Sequence, residues 1–250
     1  MFTHLHLHTE YSVLDGYIRL ADLMEHVHRM GQQAVAVTDH GTLAAMLKAY
    51  NLAQQFNVQL IPGCEFYIAQ DRTKDIKGVK ASNKHFLMLA RNEEGWKNIL
   101  ALNAEAYRSG RVMRFDRVVP RIDQSLLTSK ICKGIVATSG CMLGEIPQLL
   151  DVGREDEAFD LSQKYTELFD KFYLEVQTYH AGESGQKQEI LNHRLWRLAD
   201  RTGLRCVVTT DSHYLTKDDE DAHELLLAIQ SKKTIHDLSL IHISEPTRPY

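Results

Sequence analysis

Three histidines alternate with leucines near the start of the chain, in the run HLHLH at residues 4–8. Successive side chains of a strand point to opposite faces, so an extended backbone puts all three imidazoles on one face. At the rise of a strand, His6 and His8 can share a site at its end, whereas His4 lies about 13 Å below His8. Imidazoles on a buried face are costly without a ligand or hydrogen-bond partners. The pattern therefore predicts a metal site.

Further ligand-type residues recur where other apolar runs begin or end. They are Asp39 and His40 after one run, Glu65 after a Pro-Gly turn, His85 at the start of a run, Cys141 after a Ser-Gly pair, and Asp211 and His213 after the last run. Imidazole, carboxylate and thiolate are standard ligands of zinc and manganese. One such residue alone is more often structural, but recurrence at five or six strand ends predicts a shared site.

Other histidines do not fit this pattern. His26 and His28 also form an HxH pair, but on a helix they point about 200° apart and cannot share a metal. Surface or capping roles are predicted for four more: His180, His193, His223 and His236. The chain has no GxGxxG, Walker A or GxSxG motif, which disfavours nucleotide cofactors and a Ser-His-Asp hydrolase.

Alternating strands and amphipathic helices must position these residues. The predicted strands are 3–8, 33–38, 58–62, 65–69, 85–91, 134–138, 172–177 and 205–210, and the predicted helices are 20–30, 42–56, 92–107, 155–169, 189–202 and 218–230. Repeated β-then-α units favour an α/β fold with a parallel sheet, and this number of strands favours a closed barrel. Chemistry in such a barrel lies at the C-terminal ends of the strands.

Composition excludes several classes of protein. The chain has 250 residues, of which 44% are hydrophobic, and four widely spaced cysteines without a CxxC pair, which predicts reduced thiols in a cytoplasmic protein. No apolar run approaches the ~18 residues of a membrane span, and the N-terminus does not resemble a signal peptide. We therefore expect no membrane partner. The net charge of −4 indicates that the chain alone does not bind duplex DNA tightly.

Six segments, in this order and spacing, resemble the PHP (polymerase and histidinol phosphatase) domain: HLHLHTEYSVLDG, AVTDHGTL, PGCEFYIA, HFLMLARN, ATSGCMLGEIPQ and VVTTDSHYL. Three further segments are more similar to one branch of this family than to its free-standing phosphatases: EYSVLDG, GWKNILALNAEAY and AHELLLAIQSK. That branch forms the N-terminal domain of bacterial DNA polymerase III alpha subunits. The resemblance runs from about Phe2 to about Asp237, so one domain over residues 1–237 is expected.

This resemblance implies a distorted (β/α)7 barrel that binds up to three divalent metals. Matched motif by motif, the implied ligands are His6, His8, Asp15, His40, Glu65, His85, Cys141, Asp211 and His213. The residues expected to act in catalysis are Asp211, His213, His40 and Asp39, the last by orienting its neighbour. Nitrogen, oxygen and sulfur ligands together favour Zn²⁺, Mn²⁺ or iron over Mg²⁺.

The implied activity is a metal-dependent phosphoesterase, which in polymerase members is associated with 3′→5′ exonuclease proofreading. Closely spaced metals lower the pKa of a bridging water and hold the attacking and leaving oxygens of a phosphodiester. The implied partners are a DNA 3′ end, the remaining polymerase domains and other replisome subunits. Two alternatives stay open: a free-standing phosphatase acting on an ester such as histidinol phosphate, and a non-catalytic, metal-stabilised scaffold of the polymerase.

The end of the chain departs from this family. Residues 238–250, LSLIHISEPTRPY, resemble the translation of a sequencing-library transposon adapter. We therefore expect this tail to be an artefact on a truncated reading frame that lacks the polymerase palm. Pro246 and Pro249 also disfavour a helix or a buried core segment at these positions.

Overall fold

Eight strands form one continuous sheet in the part of the chain that the computed structural model describes, namely residues 2–74, 83–114, 117–178, 183–234 and 245–246. The strands are β1 (Ala34–Val37), β2 (Gln59–Ala69), β3 (Lys84–Ala90), β4 (Arg111–Arg114), β5 (Arg117–Asp123), β6 (Ile135–Thr138), β7 (Lys171–Gln177) and β8 (Cys206–Thr209). Their order is β4-β5-β2-β3-β6-β7-β8, and β1 pairs with the first part of β2. Two further strands, β9 (Ser212–Tyr214) and β10 (Glu245–Pro246), pair in parallel.

The N-terminal segment, residues 4–8, closes this sheet into a barrel. On one side, the N–H groups of Ala36 and Thr38 donate to carbonyls of the segment, and on the other side Ser212 both donates to it and accepts from it. The segment was predicted as a regular strand, but its ladder is reduced to a parallel bridge between Leu7 and Ser212. The closed wall of mostly parallel strands confirms the predicted α/β fold of the distorted-barrel type.

Strand β2 departs from the prediction in two ways. It runs without a break where two strands separated by a Pro-Gly turn were expected. Its pairing partner changes from β1 to β3 between Pro62 and Gly63. Pro62, which has no N–H to donate, therefore lies at the end of the β1–β2 ladder. In addition, β3 runs antiparallel to both β2 and β6, so the sheet is mixed at this point where parallel pairing was expected.

Seven helices surround the wall in the described residues. They are α1 (Leu20–Arg29), α2 (Met46–Gln55), α3 (Glu93–Ser109), α4 (Glu145–Asp151), α5 (Glu155–Leu168), α6 (Glu183–Thr202) and α7 (Glu220–Ser231). The short α4 and the β4–β5 hairpin were not predicted. Helix α3 begins as its sequence indicates, because the Asn92 side chain accepts a hydrogen bond from the N–H of Gly95 at 2.9 Å.

The apolar core lies outside the barrel wall, beneath the helices. Phe86 of β3 packs against Tyr165 and Phe169 with ring centroids 4.8 and 5.6 Å away, and a second cluster lies under α1 and α2. Burial of such side chains stabilises the fold by about 1.5–3 kcal/mol each. The inner side of the wall instead holds buried polar residues such as Thr138 and Glu175, which leaves it available for chemistry.

Most of the predicted foreign tail, residues 238–250, lies outside the described residues. Glu245 and Pro246 are the part of it that is described, and their backbone pairs with β9. The domain boundary at residue 237 stays a prediction. Among the residues that the structure describes, none of the helices combines the length and apolar character of a membrane span.

Candidate metal centre

The nine residues predicted as metal ligands meet at one end of the barrel. Seven of them form three groups whose ligand atoms lie within 4.8 Å of one another: His6, His8 and Asp211; His8, His40 and His213; His40, Glu65 and His85. The other two adjoin these groups. Asp15 Oδ2 lies 2.9 Å from His40 Nε2, and Cys141 Sγ lies 3.6 Å from His85 Nδ1 and 3.8 Å from Glu65 Oε1.

Different elements bring these side chains to one place. His6 and His8 come from the N-terminal segment, Asp15 from the loop after it, His40 from the segment that follows β1, Glu65 from β2, His85 from β3, Cys141 from the turn after β6, and Asp211 and His213 from β9 and the residue before it. Because β3 is antiparallel, it contributes its second residue rather than its last. Gly140, with φ 74°, lets the turn approach β3: a Cβ there would lie 2.7 Å from the His85 carbonyl oxygen.

Asp211 is held in a strained backbone conformation. Its φ of 49° lies in the left-handed region, which costs most residues other than glycine about 1–3 kcal/mol and costs aspartate and asparagine less. Its Oδ1 lies 3.3 Å from His6 Nε2 and 3.2 Å from His8 Nε2. Strain of this kind is typical of functional sites, where the surrounding structure fixes one residue in place.

Five buried polar atoms in this cluster have no hydrogen-bond partner: His6 Nε2, His8 Nε2, His40 Nδ1, Glu65 Oε2 and Asp211 Oδ1. Such atoms are rare in folded proteins, and each one costs about 1–3 kcal/mol. Some of these atoms are close to one another, but their geometry is not that of a hydrogen bond. His40 Nδ1, for example, is 2.7 Å from Glu65 Oε2. Donor atoms that face a common point in this way fit a divalent cation, which accepts their lone pairs.

The carboxylates control the charge of His6. Burial alone lowers the pKa of His6, but the carboxylates of Asp211, Glu175 and Glu65 outweigh this effect and hold the pKa well above its usual value. Burial alone raises the pKa of Glu65, but His85 and the neighbouring imidazoles hold it well below its usual value. Without metal, the cluster therefore favours an ionised Glu65 and a positively charged His6, and a cation bound at His6 Nε2 competes with the proton there.

His8 and Cys141 behave differently because of their neighbours. Burial lowers the pKa of His8, and so do the imidazoles of His40 and His213, whose rings stack on it at 4.0 and 4.3 Å. His8 is thus predisposed to the neutral form that binds metals. Burial raises the pKa of the Cys141 thiol well above its usual value, and Glu65 adds to this effect, so this thiol keeps its proton until a cation replaces it.

Glu175 of β7 is a functional residue that the sequence reasoning missed. Its Oε1 accepts hydrogen bonds from His6 Nδ1 at 2.7 Å, Gln177 at 2.9 Å and Thr209 at 2.6 Å, and its Oε2 accepts one from Thr138. A carboxylate on Nδ1 fixes the tautomer and directs Nε2 at the metal position. The available signal was the alternation of Glu175 and Gln177 in an otherwise apolar strand, which places both on the inner face.

Asp39 is buried but does not join the three ligand groups. Its carboxylate accepts hydrogen bonds from the N–H of Thr9 at 2.6 Å and the hydroxyl of Ser12 at 2.8 Å. Ser12 Oγ in turn lies 3.1 Å from His8 Nδ1 and accepts a bond from the N–H of His40 at 3.1 Å. Asp39 thus positions the imidazoles through Ser12 rather than by contact with the reacting atoms.

The remaining histidines have mixed outcomes. His26 and His28 belong to α1 and to none of the three ligand groups, and His193 is exposed. His223 is only 2% exposed, so of the two roles predicted for it, surface or capping, the surface role is wrong. Two others lie outside the described residues: His180 and His236.

A closed α/β wall with a cluster of ligand-type residues at one end defines a class of barrel with a candidate metal centre. The chain belongs to the PHP domain family, whose sequence profile matches residues 4–179. Across 94% of its length the chain is 39% identical to the DNA polymerase III subunit alpha of Deinococcus radiodurans and 37% identical to that of Thermus aquaticus. It spans only 18% and 19% of those two relatives. The resemblance to the polymerase branch is thereby confirmed.

Solved structures include a candidate metal-dependent phosphoesterase from Bifidobacterium adolescentis that is similar to this chain. The match covers 84% of this chain and 87% of that one, with 17% identity and a TM-score of 0.47.

Proposed function

We propose that this domain is the metal-dependent phosphodiesterase of a bacterial replicative DNA polymerase and removes nucleotides from a DNA 3′ end. The observation that carries the proposal is the meeting of nine ligand-type side chains, five of which have a buried polar atom without a hydrogen bond. Similarity to DNA polymerase III alpha subunits supports DNA as the substrate. It also supports the remaining polymerase domains and replisome subunits as partners, and a cytoplasmic location.

The proposed ligands are the nine residues that meet at the barrel end, with up to three divalent ions among them. Five of them are imidazoles, three are carboxylates and one is a thiol. Because nitrogen and sulfur donors outnumber the carboxylates, Zn²⁺, Mn²⁺ or iron fits the set better than Mg²⁺, which prefers oxygen.

The protein's own residues orient the site and leave one side of it open. Divalent ions bound there supply Lewis-acid stabilisation of phosphate oxygens and a water that is acidic near neutral pH. Glu175 keeps the proton of His6 on Nδ1, so that Nε2 faces the cluster. Glu65 is fully buried, whereas the Asp15 and His85 side chains are 17% and 14% exposed. The substrate therefore approaches from the side of Asp15 and His85.

Asp211, His213 and His40 are the proposed catalytic residues, and Asp39 is proposed to position them. Asp211→Asn tests this assignment, because the change conserves volume and asparagine also tolerates the left-handed backbone. Loss of the negative ligand is expected to slow metal-dependent degradation of 3′-labelled single-stranded DNA by orders of magnitude. The control is His26→Ala on α1, which lies outside the cluster and is expected to leave the rate unchanged.

Circular dichroism of the full 250-residue chain establishes whether each variant is folded. If folded Asp211→Asn degrades DNA as fast as the wild type, the hydrolase proposal is wrong and a metal-stabilised scaffold is preferred. Release of phosphate from histidinol phosphate without DNA degradation would instead identify a free-standing type of phosphatase.

A further inference from the structure

A histidine near the C-terminal end of the described chain contacts the loop that carries Asp15. His223 lies in the first turn of α7, and its Nε2 is 2.9 Å from the carbonyl oxygen of Asp15. A carbonyl can only accept, so Nε2 is the nitrogen that carries the proton. The His223 ring also packs against His213 and Tyr214, with centroids 5.8 and 5.3 Å away. The contact therefore joins α7 to the edge of the metal centre.

The loop at Asp15 needs such support because its backbone is strained. Leu14 has a φ of 63°, in the left-handed region that bulky side chains avoid. Gly16 follows so closely on Thr9 that a Cβ would lie 2.1 Å from the Thr9 carbonyl oxygen. A strained conformation persists only where its surroundings hold it in place. Asp15 must nevertheless keep its Oδ2 near His40 Nε2, at 2.9 Å.

Backbone bonds hold the two ends of this loop. The N–H of Asp15 donates to the Ser12 carbonyl at 3.0 Å, and the N–H of Tyr17 donates to the His213 carbonyl at 2.7 Å. The peptide between Asp15 and Gly16 is held at both of its polar groups: the N–H of Gly16 donates to the Ser12 carbonyl at 2.8 Å, and the Asp15 carbonyl accepts from His223 Nε2. Because that imidazole is almost fully buried, its bond ties the carbonyl side of this peptide to α7.

We infer that His223 is a positioning residue, which fixes Asp15 and so determines the metal affinity of the position beside it. There, His40 Nε2 and His213 Nε2 lie 2.9 and 3.7 Å from Asp15 Oδ2. The inference rests on the proposed metal centre. It adds a residue outside the nine ligands and beyond residues 4–179, the range that the family profile matches. Loss of a partner that orients a metal ligand lowers metal affinity by about 10- to 100-fold.

Two amide substitutions that differ by one methylene test this role. In His223→Gln the side-chain N–H₂ reaches as far as Nε2, whereas in His223→Asn it falls short of the Asp15 carbonyl. The full chain, freed of metal by a chelator, is titrated with Zn²⁺ by calorimetry, and bound zinc is counted by mass spectrometry. His223→Asn is expected to weaken one Zn²⁺ site by about 10- to 100-fold, while His223→Gln binds as the wild type does. His193→Asn on the exposed face of α6 is the matched control.

Melting of the metal-free proteins separates positioning from a purely structural role. If His223→Asn lowers only the metal-free melting temperature and binds Zn²⁺ with wild-type number and affinity, the inference is overturned. If His223→Asn does not fold, the result for His223→Gln decides. Wild-type Zn²⁺ affinity of this variant supports the role of the N–H donor, and weakened affinity in a folded protein overturns the inference. Failure of the metal centre itself is distinct, because the wild type would then bind no Zn²⁺.

Discussion

Removal of bound metal is expected to destabilise this domain by several kcal/mol. The proposed ligands come from positions between His6 and His213, so the free energy of metal binding becomes free energy of folding. The five buried atoms without hydrogen bonds together cost on the order of 5–15 kcal/mol if nothing satisfies them. Protons and water relieve part of this cost. A free metal concentration 1,000 times the dissociation constant contributes about 4 kcal/mol by mass action, which we take as the expected value.

The corresponding change in melting temperature is large enough to measure. In a domain of this size 1 kcal/mol corresponds to about 2–4 °C, so chelation is expected to lower the melting temperature by roughly 8–16 °C. The assay is thermal unfolding of the full chain, followed by circular dichroism, before and after chelation with the metal content measured on the same sample.

Two variants control for effects of the chelator. His26→Ala should show the full shift, because His26 belongs to none of the ligand groups. Asp211→Asn should show a much smaller one, because a negative ligand is missing. An unchanged melting curve of the wild type after verified loss of metal would refute the reasoning.

Three further predictions follow from the same cluster and from the tail. Glu175→Ala leaves His6 Nδ1 without its acceptor and should weaken Zn²⁺ binding by about 10- to 100-fold; wild-type affinity in a competition titration with a chromophoric chelator would contradict this. The effect of chelation on melting should grow as the pH rises. Protonated His6, with its raised pKa, stabilises the metal-free fold only at the lower pH, whereas metal binding requires deprotonated ligands; thermal melts across neutral pH test the direction. Deletion of residues 238–250 should change neither zinc content nor melting temperature, and loss of either would show that the tail belongs to the domain.

The positions of the candidate ligands could be predicted because they depend on local rules. Alternation in the N-terminal segment puts His6 and His8 on one face, and an apolar run such as β1 must end near the rim of a barrel. His40, which follows β1, therefore lies at that rim. Asp15 is different, since no periodic element carries it, and its assignment came from family resemblance alone.

Features that depend on distant neighbours were not predictable in this way. The direction of β3 is determined by its pairing with β2 and β6, and its own sequence is compatible with either direction. The β4–β5 hairpin was missed because arginines and Pro120 interrupt its apolar pattern, although its strands pair along their length. A surface or capping role was predicted for His223 because a helix does not reveal which of its polar residues faces a strained loop.

The closure of the barrel between Leu7 and Ser212 has a consequence for synthesis on the ribosome. The N-terminal segment emerges first, but its neighbour on one side is separated from it by most of the domain. Contacts at such sequence separation form late, because a long loop must be closed before they stabilise anything. A nascent chain that ends before Asp211 has an open wall and an incomplete group of ligands around His6. The proposed group of ligands around His6 is therefore complete only after Asp211 has been synthesised.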